Sequence, residues 1–179
     1  MALAEKKTYT VDDILALPED VRAELIDGQI YYMAPPTPFH QMLSNLIASE
    51  FTVYIRKKNG SCKVYPAPFA VFLNKNNTTY VQPDISIVCD INKISKRGCE
   101  GAPDLVIEVV SPSSHNMDYF IKLFKYRTAG VREYWIVDPS KGRVTVYDFE
   151  KSATKEYTFS DIVKVGIFDD FEINFSELN

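Results

Sequence analysis

Short apolar runs alternate with turn residues along this chain, and the apolar period shifts between two and about 3.6. Thr10-Val11-Asp12-Asp13-Ile14-Leu15 predicts a short capped helix, because Thr10 can accept from exposed amides and the acids favour a helix start. Ala23 to Ile26 and Gln29 to Met33, joined by Asp27-Gly28, predict a β-hairpin. Pro35, Pro36 and Pro38 then break regular structure. From about Phe39 to Lys58, Met42, Leu43, Leu46, Ile47, Phe51, Val53 and Tyr54 recur at helical spacing, and Asn59-Gly60 ends the run. Strand-like runs follow at Cys62 to Leu73, Tyr80 to Cys89 and Asp104 to Val110, with Asn74-Lys75-Asn76-Asn77 turning the chain between the first two. Ser113 or Ser114 can cap a second helix that runs to about Ala129 and stops at Gly130. Glu133 to Val137, Arg143 to Phe149 and Thr154 to Phe159 are the last predicted strands. The order predicts an α/β sandwich with a mixed sheet.

Composition narrows this picture without redrawing it. The 179 residues suffice for one domain with a substantial core, at 46% hydrophobic and 25% charged residues. No apolar stretch approaches a bilayer span and no signal-like segment opens the chain, so a cytoplasmic protein is expected. Cys62, Cys89 and Cys99 are odd in number and lack metal-ligand spacing, which argues against a disulfide framework or a zinc site. A net charge of −4 argues against a dedicated electrostatic nucleic-acid binder, though metal-binding carboxylates would themselves contribute to it.

The chemistry lies in three charged residues set in or beside apolar runs. Asp84 follows Pro83 at a strand start, Glu108 interrupts Leu105-Val106-Ile107 and Val109-Val110, and Lys122 follows Asp118 by one helical turn. A charge inside an apolar strand is expensive unless something specific holds it. Two hard oxygen donors suit Mg²⁺ or Mn²⁺ and a nearby ammonium suits a phosphate, which together point to phosphodiester hydrolysis. The bland readings are a satisfied core carboxylate for Glu108, a turn for Pro83-Asp84 and a solvated i,i+4 pair for Asp118 and Lys122. Lys125 could point nearly the same way as Lys122. Glu24 and His40 are auxiliary candidates, with surface exposure and capping as their alternatives. Asp104 lies on the same strand face as Glu108 but about 13 Å away, so it is a secondary candidate. Arg56-Lys57-Lys58 fits a solvated helix end, and Lys93, Lys96, Arg97 and Arg127 a modest phosphate-contacting rim.

These residues carry a resemblance. Glu24-Leu25-Ile26-Asp27-Gly28, Gln82-Pro83-Asp84-Ile85, Ile107-Glu108-Val109-Val110-Ser111-Pro112-Ser113, Asp118-x-x-x-Lys122-x-x-x-Tyr126-x-x-x-Gly130 and Glu133-Tyr134-Trp135-Ile136-Val137-Asp138-Pro139 resemble the Uma-two family. That family consists of restriction-endonuclease-like proteins within the PD-(D/E)XK nuclease superfamily. The resemblance runs from about Thr10 to Val146. It implies one restriction-endonuclease-like domain over residues 1–179, with its core at about 20–150. Within it the resemblance implies an α/β/α core with a central mixed sheet, an N-terminal β-hairpin and C-terminal strands. Asp84 and Glu108 then take the metal-binding acidic roles, with Mg²⁺ or Mn²⁺ as cofactor. The superfamily's usual lysine position is Val110 here, so the lysine role passes to Lys122 on the following helix. Glu24, His40, Asp104 and Asp118 stand as auxiliary residues. The implied activity is metal-dependent cleavage of DNA, by a homodimer matched to the two strands of a duplex. The competing reading is a catalytically silent member of the fold that binds nucleic acid or protein.

Overall fold

The computed structural model describes residues 7–112 and 114–178. Helix α1 (Val11–Leu15) is opened by Thr10, whose backbone N–H and hydroxyl both donate to the Asp13 carboxylate. Strands β1 (Ala23–Ile26) and β2 (Gln29–Tyr32) form the hairpin predicted from Asp27-Gly28. Both turn residues have positive φ, 50° and 71°, the requirement of a type I′ turn. Helix α2 (Pro38–Lys57) starts where Thr37 accepts the His40 amide, with Pro38 in its first turn.

The run from Cys62 to Leu73 is not one strand. It divides into β3 (Lys63–Pro66) and β4 (Val71–Phe72), which lie in different sheets on either side of the cis Ala67–Pro68 bond. Pro66 and Pro68 have no amide to continue a ladder, which the apolar pattern alone does not register. Pro83 likewise shortens the next run to β5 (Ile85–Val88), leaving Tyr80 and Val81 as isolated bridges to Leu25 and Val71. A small hairpin, β6 (Ile94–Ser95) and β7 (Gly98–Glu100), pairs with β4 in a three-stranded sheet. Strand β8 (Leu105–Val109) follows. The second helix opens with a π turn over Met117–Lys122 before α3 (Leu123–Ala129), and Gly130 ends it at φ 93°. Of its two candidate caps, Ser113 lies outside the described residues, while Ser114 accepts the Asp118 amide through its carbonyl. Strands β9 (Glu133–Asp138), β10 (Arg143–Asp148) and β11 (Ala153–Thr158) form a meander, and β12 (Ile162–Lys164) pairs with β13 (Glu172–Asn174).

The central sheet has the order β11-β10-β9-β8-β5-β3. Only β8 and β9 are parallel, so the sheet is mixed. Alternate residues of β8 serve two cores. Leu105, Ile107 and Val109 meet α2 through Leu43, Ile47 and Phe51, together with Phe171, Ile173 and Phe175. Val106 and Val110 face the other side, with Tyr126 and Tyr134. Helix layers on both faces of a mixed sheet match the predicted α/β/α architecture. No described helix is long and apolar enough to cross a membrane.

One expectation is corrected here. Cys62 and Cys89 are joined in a disulfide, leaving Cys99 buried as the free thiol. The antiparallel register of β3 with β5 pairs Lys63 with Val88 and so brings the two flanking cysteines together. An odd cysteine count carries no information about that register.

Candidate active site

The antiparallel register of β5 on β8 sets Ile85 across from Ile107. One step outward, Asp84 faces Glu108, and directly opposed side chains share a sheet face about 5 Å apart at Cβ. Two hydrogen bonds lock the pair. The Asp84 amide donates to Glu108 Oε2 at 3.3 Å, and the Val109 amide donates to Asp84 Oδ2 at 2.8 Å.

Lys122 enters from the π turn. Its Nζ lies 2.9 Å from Glu108 Oε1, 2.9 Å from Glu24 Oε2 and 3.7 Å from Asp118 Oδ1. Lys122, Glu24 and Glu108 are each 4% exposed and Asp118 1%. Glu24 reaches the cluster because β1 docks on the segment before β5, where its Oε1 accepts the Gln82 amide at 2.9 Å. On the α2 side, His40 Nε2 lies 3.2 Å from Asp84 Oδ2. Lys125 points elsewhere, to Asp27 at 2.6 Å, so Lys122 is the lysine facing the carboxylates.

The arrangement sets four carboxylates, Glu24, Asp84, Glu108 and Asp118, against one ammonium and one imidazole. Burial pushes the Glu108 carboxyl well above its ordinary range against the pull of Lys122, and Asp118 and Asp84 push it further. Burial likewise raises Asp118 to about 6 despite Lys122. Burial works against the charge on Lys122, yet Glu108, Glu24 and Asp118 outweigh it and hold the ammonium well above its usual range. For His40, burial opposes protonation, but the hydrogen bond and charge of Asp84 carry it above the ordinary histidine value. Asp118 Oδ1 is buried without a hydrogen-bond partner among the described residues.

Glu108, Lys122, Glu24, Asp118 and His40 are thus brought together around Asp84, but Asp104 stays apart. It lies just before β8, where its carboxylate accepts the Cys89 amide at 2.7 Å and pairs with Arg132 at 3.4 Å. The rim cations also serve other contacts. Lys93 donates to the Ala102 carbonyl, Arg97 covers the Phe72 ring and Arg127 the Phe149 ring. Tyr126 is the residue whose role sequence reasoning missed. Its hydroxyl donates to Glu108 Oε1 at 2.7 Å, and Tyr134 donates to the Asp118 carbonyl at 3.1 Å. The four-residue spacing from Asp118 through Lys122 to Tyr126 was the available signal.

Among the described residues, no three His, Cys, Asp or Glu side chains are disposed together to hold a metal ion. The opposed pair Asp84 and Glu108 still fits Mg²⁺, which is habitually bound through one or two carboxylates and several waters. The surplus of buried carboxylate over cation is the electrostatic complement of such an ion.

Comparison with known proteins gives matches at the level of family, sequence and structure. The family described as "Uma2: Putative restriction endonuclease" matches residues 11–176. An uncharacterized protein of Synechocystis sp. is 26% identical over 125 residues, 69% of this chain. The chain spans 64% of that relative's length, under two thirds. A crystal structure described as "a putative nuclease belonging to DUF820" from Anabaena variabilis superposes with a TM-score of 0.77 at 21% identity. The match covers 94% of this chain and 96% of that one, a likeness of fold.

Proposed function

The chain belongs to the Uma2 family, and on that premise we propose that it is a metal-dependent endonuclease that hydrolyses phosphodiester bonds of DNA. The single observation that carries the reading is the opposed Asp84–Glu108 pair with the Lys122 ammonium 2.9 Å from Glu108. Asp84 and Glu108 would hold Mg²⁺ or Mn²⁺, which when bound lowers the pKa of a coordinated water and neutralises charge on the scissile phosphate.

The remaining work falls to the chain's own side chains. Lys122 orients the attacking water and stabilises charge developing on the phosphoryl oxygens. Glu24 and Asp118 keep that ammonium charged in a buried setting, and the Tyr126 hydroxyl fixes the Glu108 oxygen that Lys122 also contacts. His40 holds Asp84 from the α2 side. DNA is the substrate of such an activity.

Calorimetric titration with Mg²⁺ and Mn²⁺ on wild type, Asp84→Ala and Glu108→Ala, with plasmid nicking on the same samples and on Lys122→Met, tests the reading. Metal binding in the wild type, its loss in both variants and Lys122-dependent nicking are the expected results. A wild type that neither binds millimolar metal nor nicks DNA would instead be a silent nuclease fold serving as a binding module.

A further inference from the structure

Helix α2 buries Leu43, Ile47, Phe51 and Ile55 against the central sheet. Its other side is not simply polar. Phe39, Met42, Leu46 and Val53 are 43%, 42%, 37% and 45% exposed. With Ser49 and Arg56 they fall at alternating spacings of three and four, the a/d seam that one helix presents to another. Scattered exposed apolar residues are ordinary, but a heptad stripe along a helix of 20 residues is a packing surface.

The two ends of this stripe differ in charge. Phe39 precedes His40, which contacts Asp84 at the carboxylate cluster. Arg56, about 24 Å away along the helix, opens onto a groove of about 740 Å³ beside the edge strand β3. Thr52, Arg56, Asn59, Lys63 and Tyr65 line that groove, and no carboxylate does. Among the described residues neither Arg56 nor Lys63 forms an ion pair. In a chain of net charge −4, this is cationic surface set at the far end of the helix from the site.

We propose that a second copy of this chain packs on the α2 stripe, antiparallel, across a two-fold axis near Ile47 and Ala48. This register pairs Phe39 with the partner's Arg56, Met42 with the partner's Val53 and Leu46 with the partner's Ser49. Each pair joins an a position to a d position, as antiparallel helices require, and the guanidinium of Arg56 meets an aromatic face. The contact is self-complementary, so it closes as a dimer. A parallel pairing would instead set Arg56 against Arg56. The antiparallel arrangement lays the partner's basic groove beside each His40–Asp84 end. If the nuclease reading on which this consequence rests holds, each acidic site receives from the partner the cationic surface that a phosphodiester backbone needs.

Sedimentation equilibrium of the full chain, without metal or DNA, tests the dimer independently of any cleavage assay. Wild type is expected to be a dimer. Met42→Glu and Val53→Lys should each raise the dimer dissociation constant on the order of 100-fold. An equimolar mixture of the two variants should recover the dimer, because the introduced charges meet across the axis only in the antiparallel register. Circular dichroism of each variant checks that it remains folded; both positions are exposed. A wild-type monomer at high micromolar concentration, or a dimer indifferent to both substitutions, overturns the proposal by assigning the stripe to another protein or the dimer to another face. A mixture that stays monomeric overturns the register. Failure here leaves the nuclease reading standing, and absence of nicking leaves the dimer standing.

Discussion

Lys122 is enclosed by Glu108 and Glu24 at 2.9 Å each, with water almost entirely excluded. Removing one member of a buried ion cluster leaves uncompensated charge. Lys122→Met is therefore expected to lower stability by about 3–5 kcal/mol in denaturant unfolding, and a variant as stable as wild type would show that Lys122 is not the counter-charge. Tyr126→Phe keeps the ring and deletes one hydrogen bond to Glu108. Its expected loss is about 1–2 kcal/mol, with nicking slowed but retained. Asp84, Glu108 and Lys122 were legible in the sequence because each is a charge whose neighbours are apolar or one helical turn away. Glu24 was legible only as a candidate. Its burial depends on docking a hairpin against Gln82, 58 residues further on, and no local pattern encodes that contact.

Most elements follow from local chemistry, and the departures have local causes too. The Asp-Gly hairpin and the stop at Gly130 were predicted from turn and capping residues, and α2 from the helical spacing of its apolar residues. Strand continuity failed where prolines interrupt apolar runs, and the π turn bearing Asp118 and Lys122 is indistinguishable in sequence from α-helix. The β9–β10 connection offers a test at this scale. Asp138, at the end of β9, accepts from the Ser140 amide at 3.1 Å and hydroxyl at 2.6 Å, from Tyr119 at 3.2 Å, and pairs with Lys141 at 3.3 Å. Burial works against its ionised form, but these hydrogen bonds and the Lys141 charge hold the carboxyl below the ordinary value of 3.8. A group whose folded pKa is depressed contributes stability above its unfolded pKa and loses that contribution as pH falls through the folded value. Asp138→Asn should therefore be less stable than wild type by about 1–2 kcal/mol at neutral pH. The gap should narrow below pH 3.8 in acid unfolding curves, and a gap independent of pH would remove the carboxylate from the account.

At the scale of the whole molecule, Glu24, Asp84, Glu108 and Asp118 gather against one lysine and one histidine. A cation that binds there should stabilise the fold by mass action. On the proposed reading, Mg²⁺ at about ten times its dissociation constant would add about 1.4 kcal/mol and raise the thermal midpoint by about 4 °C. Calorimetric scans of wild type should show that rise, and Asp84→Ala should not. Strand β8 links this charge to the core: Leu105, Ile107 and Val109 pack one face and Val106 the other, while Glu108 stands among them. Buried ion pairs are commonly no more stabilising than apolar residues of similar volume. A library selected for heat resistance alone would thus tend to exchange the whole cluster, Lys122 with Glu24, Glu108 and Asp118, for apolar residues of similar volume, whereas selection for the proposed cleavage would keep it. The two selections pull one strand in opposite directions, so heat resistance in this protein is better sought at positions remote from β8.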